Sequence, residues 1–393
     1  MVPEFDDDTQ FGPDNLPYGV YSRRGSTPRC ATRLGEWVID LADALDAPVF
    51  AAPSLNGFMA QGPRRWAEVR AQLHELVGGE IPDGATHRLA EVSLHLPIQV
   101  ADYVDFYASE YHASNLGRIF RPDNPEPLMP NWKYLPVGYH GRAGSVVVSG
   151  TDIVRPTGQR KDPDAPAPVV GPSTRLDIEA EMGFVVGAPS AMGCSIDVDQ
   201  ADEHLFGVVV FNDWSARDIQ AWEYVPLGPN LGKSFASTIS PWVVPMAALD
   251  HARVPLPPQD PAPLGYLDMA DPWGLDIDIE VRWNGQVISR PPYRTMYWSP
   301  AQMLAHLTVN GAPVATGDLF ASGTVSGAPP DQRGALIEMT WGGRDPVMVN
   351  GEERFFLLDG DEITISASAP GPDGRRIGFG SATGRIVPNL TGA

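Results

Sequence analysis

The sequence predicts a mainly β protein with a small N-terminal unit, residues 1–97, followed by a larger unit, residues 98–393. Gly 40 and Pro 40 together form about a fifth of the 393 residues. Such a high glycine and proline content favours short strands joined by turns over a helical bundle. Short alternating or apolar runs recur along the chain, and a hydrophobic content of 43% is enough for a sizeable core. The length favours two units over one small domain.

The N-terminal unit begins with strand patterns and continues with a helix. The predicted strands are 18–22, 30–34 and 37–41. Apolar residues then recur at helical spacing over 63–77. Pro63 suits the first turn of this helix, and Gly78-Gly79 suits its end. The unit is therefore predicted to mix strands with one helix.

The larger unit opens with a predicted helix over 109–116, with Ser109 as its N-cap and Gly117 as its stop. Strand patterns dominate afterwards, and Asn284-Gly285 between two of them is a strong hairpin signal. Residues 250–274 are rich in Pro, Gly and Ala, which indicates a long surface loop. The predicted strands, mainly antiparallel, are 145–149, 176–186, 205–211, 276–283, 286–289, 338–341, 354–358 and 362–366.

Charge and cysteine content exclude several classes of function. The formal net charge of −21 makes nucleic acid and anionic membrane surfaces poor partners. Apolar stretches are too short to span a bilayer, and residues 1–10 lack the apolar segment of a signal peptide. Cys30 and Cys194 cannot form a disulfide framework or a thiolate zinc site. These features predict a cytoplasmic protein.

Three acidic residues alternate along the predicted strand 176–186, at Asp177, Glu179 and Glu181. On a strand they share one face, about 7 Å apart. Like charges repel there, and a hard divalent cation such as Ca²⁺ or Mg²⁺ would turn that repulsion into ligation. The alternative is a solvated strand face, as expected for the similar triplet within 276–280. Periodicity alone favours the solvated face.

A second acidic position follows a long apolar run. The run 206–211 is typical of a buried strand, and Asp213 and Arg217 come directly after it. A carboxylate at the end of a buried strand is costly unless it is paired or ligated. An Asp213–Arg217 ion pair and a functional role explain this spacing equally well.

The segment 226–234 resembles a phosphate-binding loop but fails as one. The spacing between Gly228 and Gly232 is one residue short, and Pro229 removes an amide donor that a phosphate cradle needs. What remains is Lys233, one of only three lysines, on a Gly/Pro loop with apolar neighbours. A lysine is usually exposed to solvent, but these apolar neighbours make an exposed position less expected for Lys233.

His112 lies in the first turn of the predicted helix if Ser109 caps it. The helix dipole disfavours a positive imidazole there, so His112 is expected to stay neutral and able to accept a proton. A lone histidine is nevertheless more often structural than catalytic. No His/Cys spacing fits zinc, and neither a Gly-x-Ser-x-Gly elbow nor a dinucleotide-binding fingerprint is present. Serine hydrolases and nicotinamide enzymes are therefore disfavoured.

Taken in order along the chain, these stretches resemble the fumarylacetoacetase (fumarylacetoacetate hydrolase) family. The resemblance covers nearly the whole chain and is least clear before about residue 90 and around 250–274. Its most specific part is the string Asp-Trp-Ser-Ala-Arg-Asp-Ile-Gln at 213–220. The matching segments are 105–107 with His112, 128–132, 138–142, 176–182, 212–220, 222–229, 232–235, 323–324 and 357–362.

The resemblance implies a small N-terminal SH3-like barrel, a larger C-terminal mixed β-roll and a homodimer. It also implies a metal-dependent hydrolase acting on a diketo acid. The reaction would cleave a carbon–carbon bond of 4-fumarylacetoacetate to give fumarate and acetoacetate, the last step of tyrosine and phenylalanine breakdown. A divalent cation, Ca²⁺ or Mg²⁺, would chelate the diketone and act as a Lewis acid.

The resemblance also assigns roles to individual residues. His112 would activate water with Glu338 orienting it. The departing enolate would be surrounded by Arg217, Gln220 and Lys233. Substrate oxygens would be bound by Tyr107, Arg121, Tyr139, Gln220, Tyr224 and Thr324. The metal ligands would be Asp105, Glu179, Glu181 and Asp213, while Asp213, Lys233 and Ser237 match a second, Mg²⁺-type position. The family usually has Thr at the position of Ser237, and it does not use Asp177 as a ligand.

Two other functions stay open. Related proteins of the same fold hydrolyse acylpyruvates, or decarboxylate and isomerise keto acids, but His112, Glu338 and Lys233 together favour the hydrolase. The alternative from another class is a β-rich binding module stabilised by Ca²⁺. In such a module the joint occurrence of His112, Glu338 and Lys233 would be a coincidence.

Overall fold

The structure is a computed structural model that describes residues 9–389. The helices are α1 (Leu41–Ala44), α2 (Asn56–Met59), α3 (Pro63–Gly78), α4 (Glu110–Phe120), α5 (Arg217–Glu223), α6 (Pro300–Thr308) and α7 (Leu336–Met339). The strands of the first half are β1 (Tyr18–Ser22), β2 (Arg29–Leu34), β3 (Trp37–Asp40), β4 (Thr86–Arg88), β5 (Ser93–His95), β6 (Tyr103–Phe106), β7 (Gly138–His140), β8 (Val146–Val148), β9 (Ile153–Val154), β10 (Thr157–Arg160), β11 (Val169–Pro172), β12 (Leu176–Asp177) and β13 (Ala180–Val186).

The strands of the second half are β14 (Leu205–Asp213), β15 (Ser215–Ala216), β16 (Ser237–Ile239), β17 (Trp242–Pro245), β18 (Arg253–Pro255), β19 (Trp273–Leu275), β20 (Asp278–Trp283), β21 (Gln286–Ser289), β22 (Leu319–Ala321), β23 (Val347–Val349), β24 (Glu352–Arg354), β25 (Glu362–Pro370) and β26 (Arg376–Val387). The fold is thus mainly β, as predicted from the turn-rich composition.

A large mixed sheet forms the centre of the molecule. Its main path runs β4-β3-β2-β1-β17-β14-β13-β22-β6-β7, with β5, β8 and β16 attached beside it. The middle strands β13 and β14 are antiparallel, and every residue in both is buried. Strands covered on both faces have long apolar runs, which explains the sequence pattern at 205–211. The ends of β6, β13 and β14 lead to the candidate site.

The predicted SH3-like barrel is not confirmed by the N-terminal strands. Strand β1 gives one edge to β2 and shares the other between β17 and β5. The path ends at β4, so no closed barrel forms within residues 9–389. The N-terminal strands therefore extend the large sheet.

Aromatic side chains join the N-terminal strands to the rest of the molecule. Phe206 of β14 packs against Tyr18 and Phe58, with ring centroids 5.4 and 5.7 Å away. Val209 and Val243, from β14 and β17, belong to the same buried apolar cluster. The N-terminal residues thus share a core with the central strands.

A second sheet, with the order β21-β20-β25-β26-β9, contains the predicted hairpin. Asn284 and Gly285 connect β20 to β21 with φ values of 49° and 82°. These left-handed conformations suit Asn-Gly and confirm the turn prediction. The acidic triplet nearby lies at the surface beside arginines, as expected, with Asp278 paired to Arg376 at 2.7 Å.

Two of the predicted strands are wrong or displaced. Residues 338–341 do not form a strand, because the chain forms α7 there. The Asp177 carboxylate accepts hydrogen bonds from the backbone N–H groups of Leu336 and Ile337, at 2.7 and 3.0 Å. It thereby satisfies donors that a helix start leaves free. The strand predicted at 354–358 is also displaced, since β24 ends at Arg354.

Helix α4 confirms the predicted N-cap but not the predicted end. The Ser109 hydroxyl accepts a hydrogen bond from the His112 backbone N–H at 3.3 Å. The helix then continues through Gly117 to Phe120. A Cβ at position 117 would lie 2.0 Å from the carbonyl oxygen of Pro127. The glycine therefore permits close packing and does not stop the helix.

The predicted loop at 250–274 is not wholly irregular. It includes β18, which pairs with β19, and it buries Leu267 completely. Among residues 9–389 we find no helix that is long and apolar enough to cross a membrane. The predicted absence of a signal peptide concerns residues 1–10, most of which lie outside the described range.

Candidate active site

One cavity of about 310 Å³ brings together most of the predicted site residues. It opens between one face of α4, the end of β6, strand β7, helix α5 and the loop before Lys233. Its polar lining is formed by Asp105, Tyr107, His112, Arg121, Tyr139, Glu179, Arg217, Gln220, Tyr224, Lys233 and Thr324. Its apolar wall is formed by Phe106, Leu116, Phe120, Met129 and Val137.

His112 lines this cavity and is backed by a buried carboxylate. Its Nδ1 lies 2.6 Å from Oε2 of Glu338, and Glu338 has no exposed surface. The Nε2 atom lies 4.0 Å from Oε1 of Glu179. The ring of Tyr107 packs edge-on against the imidazole at 5.3 Å. This arrangement fixes which imidazole nitrogen faces the cavity.

Glu338 is held in its charged form. Burial alone would raise the pKa of Glu338, but attraction to His112 and its hydrogen bonds keep that pKa below the usual value. A carboxylate can only accept hydrogen bonds, so Nδ1 of His112 carries the proton. Nε2 is therefore the nitrogen that faces the cavity and that would accept a proton.

Three acidic side chains meet beside His112. Carboxylate oxygens of Asp105, Glu179 and Asp213 lie within 4.8 Å of one another, and all three residues are buried. Asp105 lies on β6, Glu179 in the break between β12 and β13, and Asp213 at the end of β14. Glu181 lies on β13, and one of its oxygens accepts the Gly323 backbone N–H at 2.9 Å.

This acidic group fits a divalent cation. Oδ1 of Asp105 and Oε1 of Glu181 are buried without a hydrogen-bond partner. Burial and repulsion from neighbouring carboxylates raise the pKa of both residues well above the ordinary value. Free carboxylate oxygens are the ligands that Ca²⁺ and Mg²⁺ prefer. The site chemistry therefore suits an oxygen-ligated cation.

Lys233 is buried between two of these acids. Its ammonium forms ion pairs with Glu179 and, at 2.7 Å, with Asp213. Burial lowers the pKa of Lys233, but attraction to Asp213 and Glu179 outweighs it and holds the pKa above the ordinary value. Lys233 is therefore not the solvent-exposed lysine that would ordinarily be expected.

Arg217 pairs with Asp177 and Glu179 and not with Asp213, the partner in one of the two explanations that the sequence left open. Its Nε donates to Asp177 Oδ2 at 2.7 Å, and its Nη2 lies 2.7 Å from Glu179 Oε1. These partners raise the pKa of Arg217 although burial opposes them. Its Nη1 donates to Oε1 of Gln220 at 3.0 Å. The Asp213–Arg217 pair is not formed, because Asp213 binds Lys233.

The solvated face predicted for Asp177, Glu179 and Glu181 is also wrong, since all three residues are buried. The regular strand is interrupted at 178–179 between β12 and β13. The interruption turns Asp177 toward Arg217 and the start of α7, while Glu179 lines the cavity. Strict alternation in the sequence therefore does not translate into one shared face.

The predicted substrate-binding residues lie around the same cavity. Arg121 Nη2 donates to the Pro127 carbonyl at 2.9 Å, and its buried Nε has no partner. Thr324 Oγ1 is also buried without a partner. The Tyr139 hydroxyl donates to Asp213 Oδ2 at 3.0 Å. Tyr224 is half-exposed at the rim, where its ring stacks on Phe120.

A second cavity of about 160 Å³ lies on the other side of Lys233. Asp213, Lys233, Tyr139 and Ser237 line it. The Ser237 hydroxyl donates to Asp213 Oδ1 at 2.8 Å. Ser237 thus lies with Asp213 and Lys233, although outside the lining of the larger cavity.

The sequence patterns did not identify two polar partners of Glu338. Asn115 donates to its Oε1 at 2.9 Å, and Ser326 donates to its Oε2 at 2.8 Å. Asn115 follows His112 by three residues on α4, a spacing that places both on one helix face. That spacing is visible in the sequence, whereas the position of Ser326 depends on the fold.

The fold and the cavity together define an enzyme in which a carboxylate-backed histidine faces buried acidic ligands. The family model for the fumarylacetoacetate (FAA) hydrolase C-terminal region matches residues 103–387, and the model for the fumarylacetoacetase N-terminal region matches residues 14–97. The chain is 46% identical over 411 residues to fumarylacetoacetase of Homo sapiens, covering 98% of both chains. It is 45% identical over 410 residues to fumarylacetoacetase of Arabidopsis thaliana, covering 97% of both chains. The chain belongs to the fumarylacetoacetate hydrolase family.

Solved structures show the same fold at low identity. A fumarylacetoacetate hydrolase from Exiguobacterium antarcticum has a TM-score of 0.58 and 18% identity, covering 95% of this chain and 100% of that one. A maleylpyruvate hydrolase from Sphingobium has a TM-score of 0.56 and 14% identity, with the same coverage. These likenesses concern the fold alone.

Proposed function

We propose that the protein hydrolyses the carbon–carbon bond of 4-fumarylacetoacetate to fumarate and acetoacetate, the last step of tyrosine and phenylalanine breakdown. The observation that carries this proposal is the pairing of His112 with Glu338 at the edge of the buried acidic group. The near full-length similarity to fumarylacetoacetases supports the same reaction.

Asp105, Glu179, Glu181 and Asp213 would hold a divalent cation, Ca²⁺ or Mg²⁺. Asp213, Lys233 and Ser237 would form a second, Mg²⁺-type position. The free oxygens of Asp105 and Glu181 support the first site. A cation bound there would supply Lewis-acid stabilisation of negative charge on the diketone oxygens.

His112 is the general base in this proposal. Its Nε2 removes a proton from water, and the water oxygen bonds to the carbonyl carbon beside the double bond. The bond from that carbon to the methylene carbon then breaks, and its electron pair leaves with the methylene carbon as an enolate. A proton from the His112 imidazolium completes acetoacetate, while the other fragment is fumarate. Glu338 keeps the proton on Nδ1 throughout.

Cationic and polar groups stabilise the departing enolate and hold the substrate. Arg217, Gln220 and Lys233 converge on the cavity, where their fixed donors would stabilise negative charge that grows as the bond breaks. Arg121 has a free, buried Nε and suits a substrate carboxylate. The remaining proposed oxygen-binding residues are Tyr107, Tyr139, Gln220, Tyr224 and Thr324.

The two alternatives are less consistent with the site. A β-rich binding module would have no use for an imidazole, that of His112, oriented by the Glu338 carboxylate. Membership of the family also indicates a hydrolase. A decarboxylase or isomerase of the same fold does not need a base that activates water. An acylpyruvate hydrolase would use the same groups, and the near full-length identity to fumarylacetoacetases favours fumarylacetoacetate over an acylpyruvate as the substrate. The substrate therefore follows from the combination of family and site.

A turnover assay tests this proposal directly. Protein stripped of metal with a chelator is mixed with fumarylacetoacetate, and the loss of substrate absorbance is followed before and after addition of Mg²⁺ or Ca²⁺. We expect no turnover in chelator and recovery with either cation. Hydrolysis of acylpyruvate but not fumarylacetoacetate would overturn the substrate assignment. Zinc held by histidine or cysteine in a crystal structure would overturn the oxygen-ligated site.

Three further features remain proposals that accompany this function. We propose a division into residues 1–97 and 98–393, a homodimer and a cytoplasmic location. The N-terminal strands, which continue the large sheet, would be the family's N-terminal unit, and the remainder its mixed β-roll. Light scattering of the purified protein would test the dimer.

A further inference from the structure

Helix α4 carries two side chains that reach the same buried carboxylate. His112 and Asn115 are three residues apart, so they project from one helix face about one turn apart. His112 Nδ1 lies 2.6 Å from Glu338 Oε2, and Asn115 Nδ2 donates to Glu338 Oε1 at 2.9 Å. One rigid element therefore sets the position of the base and of a donor to its orienting group.

The donors around Glu338 divide unequally between its two oxygens. Oε2 faces His112 and also accepts the Ser326 hydroxyl at 2.8 Å. Among the described residues, Asn115 provides the hydrogen bond to Oε1. Ser326 is itself fixed, because its hydroxyl oxygen accepts the Gly334 backbone N–H at 3.1 Å. Asn115 is therefore the donor that holds Oε1 in place and so keeps Oε2 turned toward His112.

Loss of this donor would free the carboxyl group to turn. Rotation about its terminal bond costs little, since such sp³–sp² torsions are broad. A turned carboxylate weakens its bond to His112, and with it the preference for the tautomer that carries the proton on Nδ1. A buried oxygen left without a donor also loses the free energy of its hydrogen bond.

We propose that Asn115 is a positioning residue that acts through Glu338 to hold His112 in its basic orientation and tautomer. This inference rests on the proposed hydrolysis for its kinetic consequence, but not for its structural one. Asn115 is half-buried and borders an outer groove of about 710 Å³. A substitution there is therefore easier to accommodate than one at Glu338, which is fully buried.

The kinetic test replaces Asn115 with leucine, which has similar volume and no donor. We expect Asn115→Leu to lower kcat roughly tenfold to a hundredfold, as is typical when a supporting hydrogen bond in a site is lost. KM should stay within about twofold, because Asn115 does not line the cavity. Asn115→Gln, which keeps a donor on a longer side chain, should recover part of kcat.

The matched control is Ser114→Ala, one residue earlier on the same helix and beside the same outer groove. We expect this variant to keep the kcat of the wild type. A double-mutant cycle with Glu338→Ala adds a test that a purely structural role would fail. The effect of Asn115→Leu on kcat should nearly vanish when Glu338 is absent, whereas independent effects would add.

Nitrogen NMR of His112 gives a readout that does not depend on turnover. The His112 signals are assigned by their loss in His112→Gln. In the wild type we expect Nδ1 to be protonated and Nε2 to be unprotonated, and in Asn115→Leu a mixture of tautomers. A wild-type protein that fails to hydrolyse fumarylacetoacetate would overturn the proposed function alone. Unchanged His112 signals and unchanged kcat in Asn115→Leu would overturn the role of Asn115.

Discussion

At the scale of single residues, Lys233 has the least expected environment of the cavity. Its ammonium binds Glu179 and Asp213, two of the carboxylates proposed to hold a cation. Buried charges are stable only when their partners are present. Lys233 is therefore a counter-charge for the acidic group, and in the proposed mechanism it would also donate to the reacting oxygen.

We expect Lys233→Met to lower kcat and kcat/KM together by about 3 kcal/mol of barrier, the usual contribution of one fixed donor to an oxyanion. The contact is stronger in the transition state than in the bound substrate, so both constants should fall. Steady-state kinetics at saturating cation measure this. A raised KM with unchanged kcat would show that Lys233 only holds substrate.

His112 has a different role and a simpler prediction. His112→Ala removes the group proposed as the base, and kcat should fall by roughly a hundredfold or more. Binding of a product-like inhibitor, measured by calorimetry, should survive, because Arg121 and Arg217 remain in the cavity. A variant that kept most of its turnover would assign water activation to another group.

At the scale of elements, Gly117 shows why α4 is longer than its sequence suggests. Glycine lowers helix stability by about 1 kcal/mol relative to alanine, so the sequence placed a helix end there. The neighbouring chain supplies the reason for the glycine, since the Pro127 carbonyl occupies the space of a Cβ. Arg121 also binds that carbonyl. The contact thus links α4 to the cavity arginine.

We expect Gly117→Ala to displace the segment around Pro127 and with it Arg121. KM for fumarylacetoacetate should rise several-fold, and the melting temperature should fall. The matched control is Gly78→Ala in α3, where a Cβ meets nothing within 4 Å. That change should be neutral or slightly stabilising. Equal effects of the two substitutions would contradict the packing explanation.

Sequence patterns predicted elements whose causes are local. The N-cap Ser109, the Asn284-Gly285 turn and the buried run of β14 all follow from neighbouring residues. Sequence patterns gave wrong predictions where an element is determined by residues far away in the sequence. Helix α7 begins on the carboxylate of Asp177, which is 159 residues away from Leu336, so its strand-like pattern was misleading. The break between β12 and β13 is equally invisible in an alternating sequence.

In the candidate site, too, the sequence predicted features with local causes and missed those that depend on distant residues. Composition and spacing singled out His112, Glu179 and Lys233 as residues of interest, but they could not choose between structural and functional roles. Which charges pair is decided only when the ends of β6, β13 and β14 meet. Of the two explanations left open for Asp213 and Arg217, the ion pair does not form, since Asp213 pairs with Lys233.

At the scale of the whole molecule, the shared core makes the two parts of the chain dependent on each other. Phe206 of β14 contacts Tyr18 and Phe58 from the N-terminal strands and helices. We expect Phe206→Ala to destabilise the fold by about 3–5 kcal/mol. Calorimetry should show one lowered transition. Two separate transitions, with only one lowered, would show that the parts unfold independently.

Glu338 gives the fold a dependence on acid. Since its pKa is lowered on folding, its stabilisation is complete above the ordinary carboxyl pKa of 4.5 and is lost as the pH falls through the lower, folded value. The difference in unfolding free energy between the wild type and Glu338→Gln should thus stay constant above about pH 4.5 and shrink as the pH falls below that value. Urea unfolding measures it, with exposed Glu353→Gln as control. A constant difference would contradict the linkage.

Helix α5 carries more than the cavity groups Arg217 and Gln220, because Trp222 lies on the same short helix. Its side chain is 44% exposed, the largest exposed fraction among the ten tryptophans, and its indole N–H donates to Gln159 at 3.2 Å. The fluorescence that a neutral quencher such as acrylamide removes first should therefore come from Trp222. A ligand that binds Arg217 and Gln220 should change this quenching, and Trp222→Phe should abolish the change. Trp222 would then report cavity occupancy optically, without any chemical turnover.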